Sequence, residues 1–130
     1  MIEFKHRFFS SMTLLILDFI WISTYMGGKY NILVNKIQNS KMEVKTIYAV
    51  FAYSLMLLGL NIFVLPKIDT ENVKVSDCLI YGFLFGVILY GVYDFTCAAV
   101  LKDWDIKLAF IDILWGGLVY FISCFTLKII

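Results

Sequence analysis

The stretch "VILYGVYDFTCAAVLKDWDIKLAFIDILWGG" at residues 87–117 decides the fold of this chain. Two apolar runs meet at "KDWD" (residues 102–105), which is long enough only for a tight turn. Two helices joined by so short a loop form an antiparallel hairpin. Each run also holds one aspartate among its apolar residues, Asp94 before the turn and Asp112 after it. The fold and the question of function therefore both start from this hairpin.

The composition indicates a membrane protein. The chain has 130 residues, of which 62% are hydrophobic and 16% are charged, whereas globular domains are about half apolar and a quarter charged. A water-soluble protein this small exposes too much of its surface to hide so many apolar side chains. The formal net charge is only +1, and no basic run is present, so nucleic acid is not expected as a partner. Membrane lipid is the expected surrounding.

Four apolar segments predict four membrane-spanning helices, at residues 8–26, 46–65, 78–101 and 106–129. About 20 residues cross the hydrocarbon of a bilayer, and a helix satisfies its own backbone hydrogen bonds there. The sequence therefore predicts an all-α fold, a four-helix transmembrane bundle that forms a single membrane domain over residues 1–130. Because Asp18 and Trp21 lie inside the first segment, it is interpreted as a retained helix and not as a signal peptide.

The linker after the first segment differs from the other two. Gly27–Gly28 is predicted to end the first helix, since glycine readily forms a left-handed cap. In the following "KYNILVNKIQNSK" (residues 29–41), apolar residues recur with helical spacing at Tyr30, Leu33, Val34 and Ile37. This pattern predicts a short interfacial helix between helices one and two. A solvated loop is the alternative, because the segment is short.

Topology predicts that Asp18, Asp94 and Asp112 lie at one depth. With four alternating crossings, helix one ends on the side where helix three ends and helix four begins. Each aspartate is then about 9–12 Å from that side, at 1.5 Å of rise per residue. A charged aspartate that faces lipid costs at least about 2 kcal/mol. We therefore expect the three carboxyl groups to turn inward, toward one another or toward a wet pocket.

Other side chains on the same helix faces, or at the same depth, complete the predicted binding site. They are Trp21, Tyr53, Tyr90, Cys97 and Trp115. Tyrosine and tryptophan offer O–H and N–H donors to a carboxylate while their rings pack. A close cluster of acids shares protons or encloses a cation. The alternative is structural, with the acids tying helices together through hydrogen bonds.

Cysteine and histidine chemistry is not expected to add a metal, a cofactor or a nucleophile. Three widely spaced cysteines, Cys78, Cys97 and Cys124, do not form a disulfide framework and are interpreted as small buried side chains. The three aspartates with Cys97 could hold a divalent ion, but their spacing matches no known set of ligands. No histidine is placed to activate Cys97 as a nucleophile. Gly82 and Gly86 form a GxxxG pair that suits close helix packing.

The motifs together resemble a family of small membrane proteins, domain of unknown function 2177. The matching stretches are "LDFIW" (residues 17–21), "YDFT" (93–96) and "DILWG" (112–116), with Trp104 near the hairpin turn. Cys97 departs from the asparagine expected in many relatives. The resemblance covers nearly the whole chain and implies a four-helix membrane protein. It implies no activity.

The leading functional hypothesis is an integral, multi-pass membrane protein whose acidic pocket binds or conducts protons, a cation or a cationic small molecule. A scaffold subunit of a larger membrane complex, or a homo-oligomer, is the first alternative. The second is a lipid-modifying enzyme with an aspartate as general acid or base, although no nucleophile or cofactor motif supports it. Basic residues number five on one side and six on the other, so orientation is not predicted.

Overall fold

The computed structural model describes residues 2–130, which form four long helices and no strand. The helices are α1 (Phe4–Gln38), α2 (Thr46–Lys67), α3 (Val75–Val100) and α4 (Ile106–Lys128), and each is long and apolar enough to cross a membrane. The predicted four-helix transmembrane bundle is confirmed. The ends of α2, α3 and α4 lie within three residues of their predicted positions.

The first helix is longer than predicted. The expected end at Gly27–Gly28 is wrong, because α1 continues to Gln38 and is capped by Asn39 in the left-handed conformation (φ 57°). Ile22–Met26 form a π-helical turn, and the Gly27 N–H donates to the Ile22 carbonyl. A Cβ on Gly27 would lie 2.5 Å from that oxygen. This glycine therefore permits a close approach inside the helix and does not end it.

The segment after Gly28 is helical, as the spacing of its apolar residues predicted. Leu33 is buried, and Tyr30, Val34 and Ile37 are partly buried, whereas the polar residues between them are exposed. The interfacial helix of the prediction is thus the C-terminal part of α1. Its face packs on the bundle as expected from a period of 3.6 residues.

The fourth helix is the centre of the bundle. Half of its most apolar stretch is buried, against 17–22% for the other three helices. It meets α3 at very short range, because a Cβ on Gly86 would lie only 2.0 Å from the carbonyl oxygen of Gly116. The GxxxG pair in α3 therefore serves packing within the chain. Small residues let two backbones approach where lipid supplies no hydrophobic force between helices.

The two ends of the bundle are built differently. The apolar core gathers where α2 and α4 end and α3 begins, and we call this the apolar end; its buried residues are Leu14, Leu60, Val64, Leu65, Ile68, Cys78, Val119, Tyr120, Cys124 and Leu127. We call the other end, which holds Asp18, Asp94 and Asp112, the acidic end. In that half of α2, Thr46–Gly59, the only buried residue is Gly59. The helix there stands apart from its neighbours and leaves space beside the acids.

Candidate functional site

The three aspartates converge, as their predicted depth implied. Asp18 is 3% exposed, Asp94 is fully buried and Asp112 is 6% exposed. The carboxyl groups of Asp94 and Asp112 lie close to each other, and that of Asp18 is near enough to act electrostatically on Asp112. Their inward orientation is confirmed. Burying an acid is tolerated energetically only if hydrogen-bond partners replace the lost water.

Asp18 receives donors from each of the other helices. Tyr53 Oη in α2 donates to Oδ2 at 2.7 Å, and Tyr90 Oη in α3 donates to Oδ1 at 2.8 Å. Trp115 Nε1 in α4 donates to Oδ1 at 3.0 Å. An ionised carboxylate offers acceptors only, so it can take all three bonds. Asp18 therefore ties the four helices together, which is the structural role that stood as the alternative for these acids.

The tryptophan of each motif lies beside the aspartate of the other motif. Each tryptophan was expected beside the acid of its own helix, but Trp115 of α4 donates to Asp18 of α1. Trp21 of α1 lies beside Asp112 of α4 and stacks on Trp115, with ring centroids 4.7 Å apart and planes 10° apart. Because α1 and α4 run antiparallel, the aspartate of one helix lies opposite the tryptophan of the other. Equal spacing in both motifs produces this exchange.

Asp94 and Asp112 form a pair with few donors. Tyr30 Oη donates to Asp94 Oδ1 at a long 3.4 Å, while Asp94 Oδ2 is buried without a hydrogen-bond partner among residues 2–130. The indole nitrogens of Trp21 and Trp104 also lack acceptors in that range, although each ring lies beside one of the two acids. Buried polar atoms normally find partners. Two facing carboxyl groups bond only when one carries a proton.

Among residues 2–130, no basic side chain forms an ion pair with these acids. Across the described residues the salt bridge is Lys5 to Glu3 at 3.6 Å, far from the site, and no lysine or arginine pairs with Asp18, Asp94 or Asp112. In the same range no three His, Cys, Asp or Glu side chains are grouped to hold one metal ion. Within the part of the chain that the structure describes, the three acids therefore have no paired cation.

A cavity of about 490 Å³ opens beside the acids. Its polar and aromatic lining consists of Asp18, Trp21, Tyr30, Tyr53, Tyr90, Tyr93 and Asp112. The rest of the lining is apolar and includes Ala49, Ala52 and Leu55 of α2 and Leu89 of α3. Ligand sites are commonly cavities of about this size, mostly apolar, with a few convergent polar groups.

The predicted site residues divide between the cavity and its supports. Asp18, Trp21, Tyr53, Tyr90 and Asp112 line the cavity. Asp94 and Trp115 lie behind it, where they contact Asp112 and Asp18. Cys97 is partly buried beside Tyr93 and does not line the cavity. Its binding role stays a prediction without support from its position.

Sequence reasoning missed Tyr30 and Tyr93, and it gave Trp104 no role in the site. The Tyr30 ring packs on Trp104 with centroids 5.9 Å apart, and Tyr93 meets Trp104 edge-on at 6.3 Å. Tyr30 was missed because the first helix was expected to stop at Gly27. A signal was present, since its apolar face begins at Tyr30 and had to pack on something.

Comparison with known proteins gives one match. The model of the family described as predicted membrane protein (DUF2177) matches residues 5–127. Neither a curated protein nor a solved structure matches the chain.

Proposed function

The chain belongs to the DUF2177 family of predicted membrane proteins, and we propose that it binds an organic cation in the cavity beside Asp112 and Asp18. One observation carries this proposal. A cavity of about 490 Å³ is lined by two carboxyl groups and five aromatic rings. No lysine or arginine among residues 2–130 forms an ion pair with these acids. The ligand supplies the missing positive charge.

The shape and lining of the cavity favour an organic cation over a bare ion. A proton or a metal ion needs no space of this size, and most of the lining has nothing to offer an ion's hydration shell. Aromatic rings attract ammonium groups through their electron-rich faces, with about 0.5–2 kcal/mol per contact. Trp21, Tyr30, Tyr53, Tyr90 and Tyr93 are the rings available. An ammonium group with attached carbon fits both features.

Asp112 is the primary partner of the cation in this proposal. Asp18 already accepts three hydrogen bonds, whereas the facing groups of Asp112 are Asp94, Asp18, Tyr30 and Trp21, none of them cationic. Asp112 lines the cavity and Asp94 lies behind it. A proton shared by Asp94 and Asp112 leaves when a cation arrives, so cation and proton compete. Affinity for the cation therefore rises with pH, by up to about tenfold per unit for one proton released.

The test is binding of choline to the purified protein in nanodiscs, followed by tryptophan fluorescence, because Trp21 lines the cavity. We expect saturable binding of choline and none of its neutral carbon isostere. Asp112→Asn should weaken choline binding at least about tenfold, since an intramembrane charge pair is lost. Affinity of the unaltered protein should rise with pH over the range in which the shared proton is released.

Asp103→Asn is the matched control. Asp103 is exposed in the hairpin turn and has a left-handed backbone (φ 63°), which asparagine adopts equally well. It removes the same charge near the same end without touching the cavity. Equal choline binding by unaltered protein and Asp112→Asn would refute the proposal, as would equal binding of the neutral isostere.

A further inference from the structure

The cavity opens to the side of the bundle, at membrane depth. Its rim includes Leu55 of α2, which is 66% exposed, and Tyr93 of α3, which is 54% exposed. Leu55 is nine positions from the start of α2, and Leu89, also on the rim, is eleven positions from the end of α3. These separations correspond to about 14–17 Å along the helix axes. That depth is close to the middle of a hydrocarbon core about 30 Å thick.

The aqueous end of the cavity is covered. The C-terminal part of α1 runs past the acids, and Tyr30 contacts both Asp94 and the ring of Trp104 in the hairpin turn. Leu33, one turn further along α1, is buried. The same part of α1 lies beside the start of α4, where Lys29 and Asp105 border one groove. A ligand therefore meets packed side chains from the water side and an opening from the lipid side.

The lateral opening exists because α2 carries small side chains there and packs loosely. Ala49 and Ala52 of α2 form part of the cavity wall, and alanine leaves space that a larger side chain would fill. Ala52 is exposed although it lines the cavity. From Thr46 to Leu58 no residue of α2 is buried. The gap between α2 and α3 is wide enough to contribute to the cavity volume.

We infer that the ligand is a membrane amphiphile, with an ammonium head beside Asp112 and Asp18 and a hydrocarbon chain that leaves through the gap between α2 and α3. This inference rests on the proposed function and names its ligand class. The acids are buried at the inner wall, whereas Leu55 and Tyr93 at the rim are more than half exposed. The two ends of such a molecule match the two ends of the cavity.

The test compares choline with decyltrimethylammonium, which has the same head and a long chain. Binding is measured by calorimetry in nanodiscs, with binding to empty nanodiscs subtracted. The bilayer concentrates the long-chain ion beside the lateral opening, so we expect it to bind the protein at least about tenfold more tightly than choline. If the chain did not stay in lipid once the head is bound, binding would have to extract it from the bilayer, and this cost would cancel the advantage.

Ala52→Phe narrows the gap, and Ser54→Phe is its control. Ser54 lies two positions away on α2 and faces the separate groove between α1 and α2. Ala52→Phe should lower the affinity for decyltrimethylammonium about tenfold more than the affinity for choline, and an unfolding transition equal to that of Ser54→Phe shows that the variant is folded. Ser54→Phe should change neither.

Each outcome separates the two proposals. Equal affinities of the unaltered protein for choline and decyltrimethylammonium would overturn the amphiphile inference and leave cation binding intact. An undiminished long-chain advantage in Ala52→Phe would overturn it too. Binding of neither compound would overturn the proposed function itself.

Discussion

The apolar end and the acidic end of the bundle solve the same packing problem in opposite ways. At the apolar end, Leu60, Val64 and Leu65 of α2 are fully buried against α3 and α4. At the acidic end, α2 buries nothing from Thr46 to Leu58 and is held to α1 by the bond from Tyr53 to Asp18. Non-directional contacts close one end, and a few directional hydrogen bonds keep the other end open around a cavity. The space is maintained by geometry, since a tyrosine–carboxylate bond fixes a distance that apolar packing would shorten.

The largest effect is expected from a change at the contact between α3 and α4, which both ends of the bundle share. Gly86→Ala places a Cβ 2.0 Å from the Gly116 carbonyl oxygen, where backbone would have to move. We expect it to lower the free energy of unfolding by about 3 kcal/mol. Unfolding in mixed detergent micelles, followed by tryptophan fluorescence, measures the loss.

Gly91→Ala is the control for Gly86→Ala in the same helix. An added Cβ there meets only the Ile113 Cδ1 atom, at 4.0 Å. We expect no loss, or a gain of up to about 1 kcal/mol, because alanine favours a helix over glycine. Equal destabilisation by the two variants would show that α3 and α4 do not pack through Gly86.

The second prediction concerns a substitution that weakens only the apolar end. Leu60→Ala removes a fully buried side chain of α2, and we expect it to cost about 2 kcal/mol through the cavity that it leaves. Leu58→Ala, two positions earlier on a side chain that is 52% exposed, should cost less than about 0.5 kcal/mol. The same unfolding assay compares them. Similar losses of unfolding free energy would mean that α2 is held as loosely at the apolar end as at the acidic end.

The third and smallest effect distinguishes the roles of the two ends in stability and in binding. Tyr120→Phe deletes a bond from Tyr120 Oη to the Met56 carbonyl oxygen (2.8 Å), and Tyr53→Phe deletes the 2.7 Å bond to Asp18. Each should cost about 1 kcal/mol of unfolding free energy. Only Tyr53→Phe should also weaken choline binding, because only Tyr53 lines the cavity. Choline binding that falls equally in both variants would contradict a division of roles between the ends.

The sequence predicted the bundle and the depth of the acids, because both follow from segment length and alternating topology. It also predicted Tyr53 and Tyr90 as companions of the acids, which now donate to Asp18. The continuation of α1 past Gly27 was not predictable from glycine propensity, since the π turn at Ile22–Met26 imposes its own need for glycine. The exchange of Trp21 and Trp115 between the two aspartates could have been predicted from the sequence. Antiparallel helices with the same aspartate-to-tryptophan spacing must bring unlike residues together.

Asp18 has a consequence for how the protein is made. Its helix leaves the ribosome before the three helices that carry its donors Tyr53, Tyr90 and Trp115. Until these helices are made, Asp18 lacks its donors, and its insertion into lipid costs at least about 2 kcal/mol. Asp18 therefore has all of its donors only after Trp115 of α4 has emerged. A chain truncated before Trp115 leaves this acid without one of its three donors.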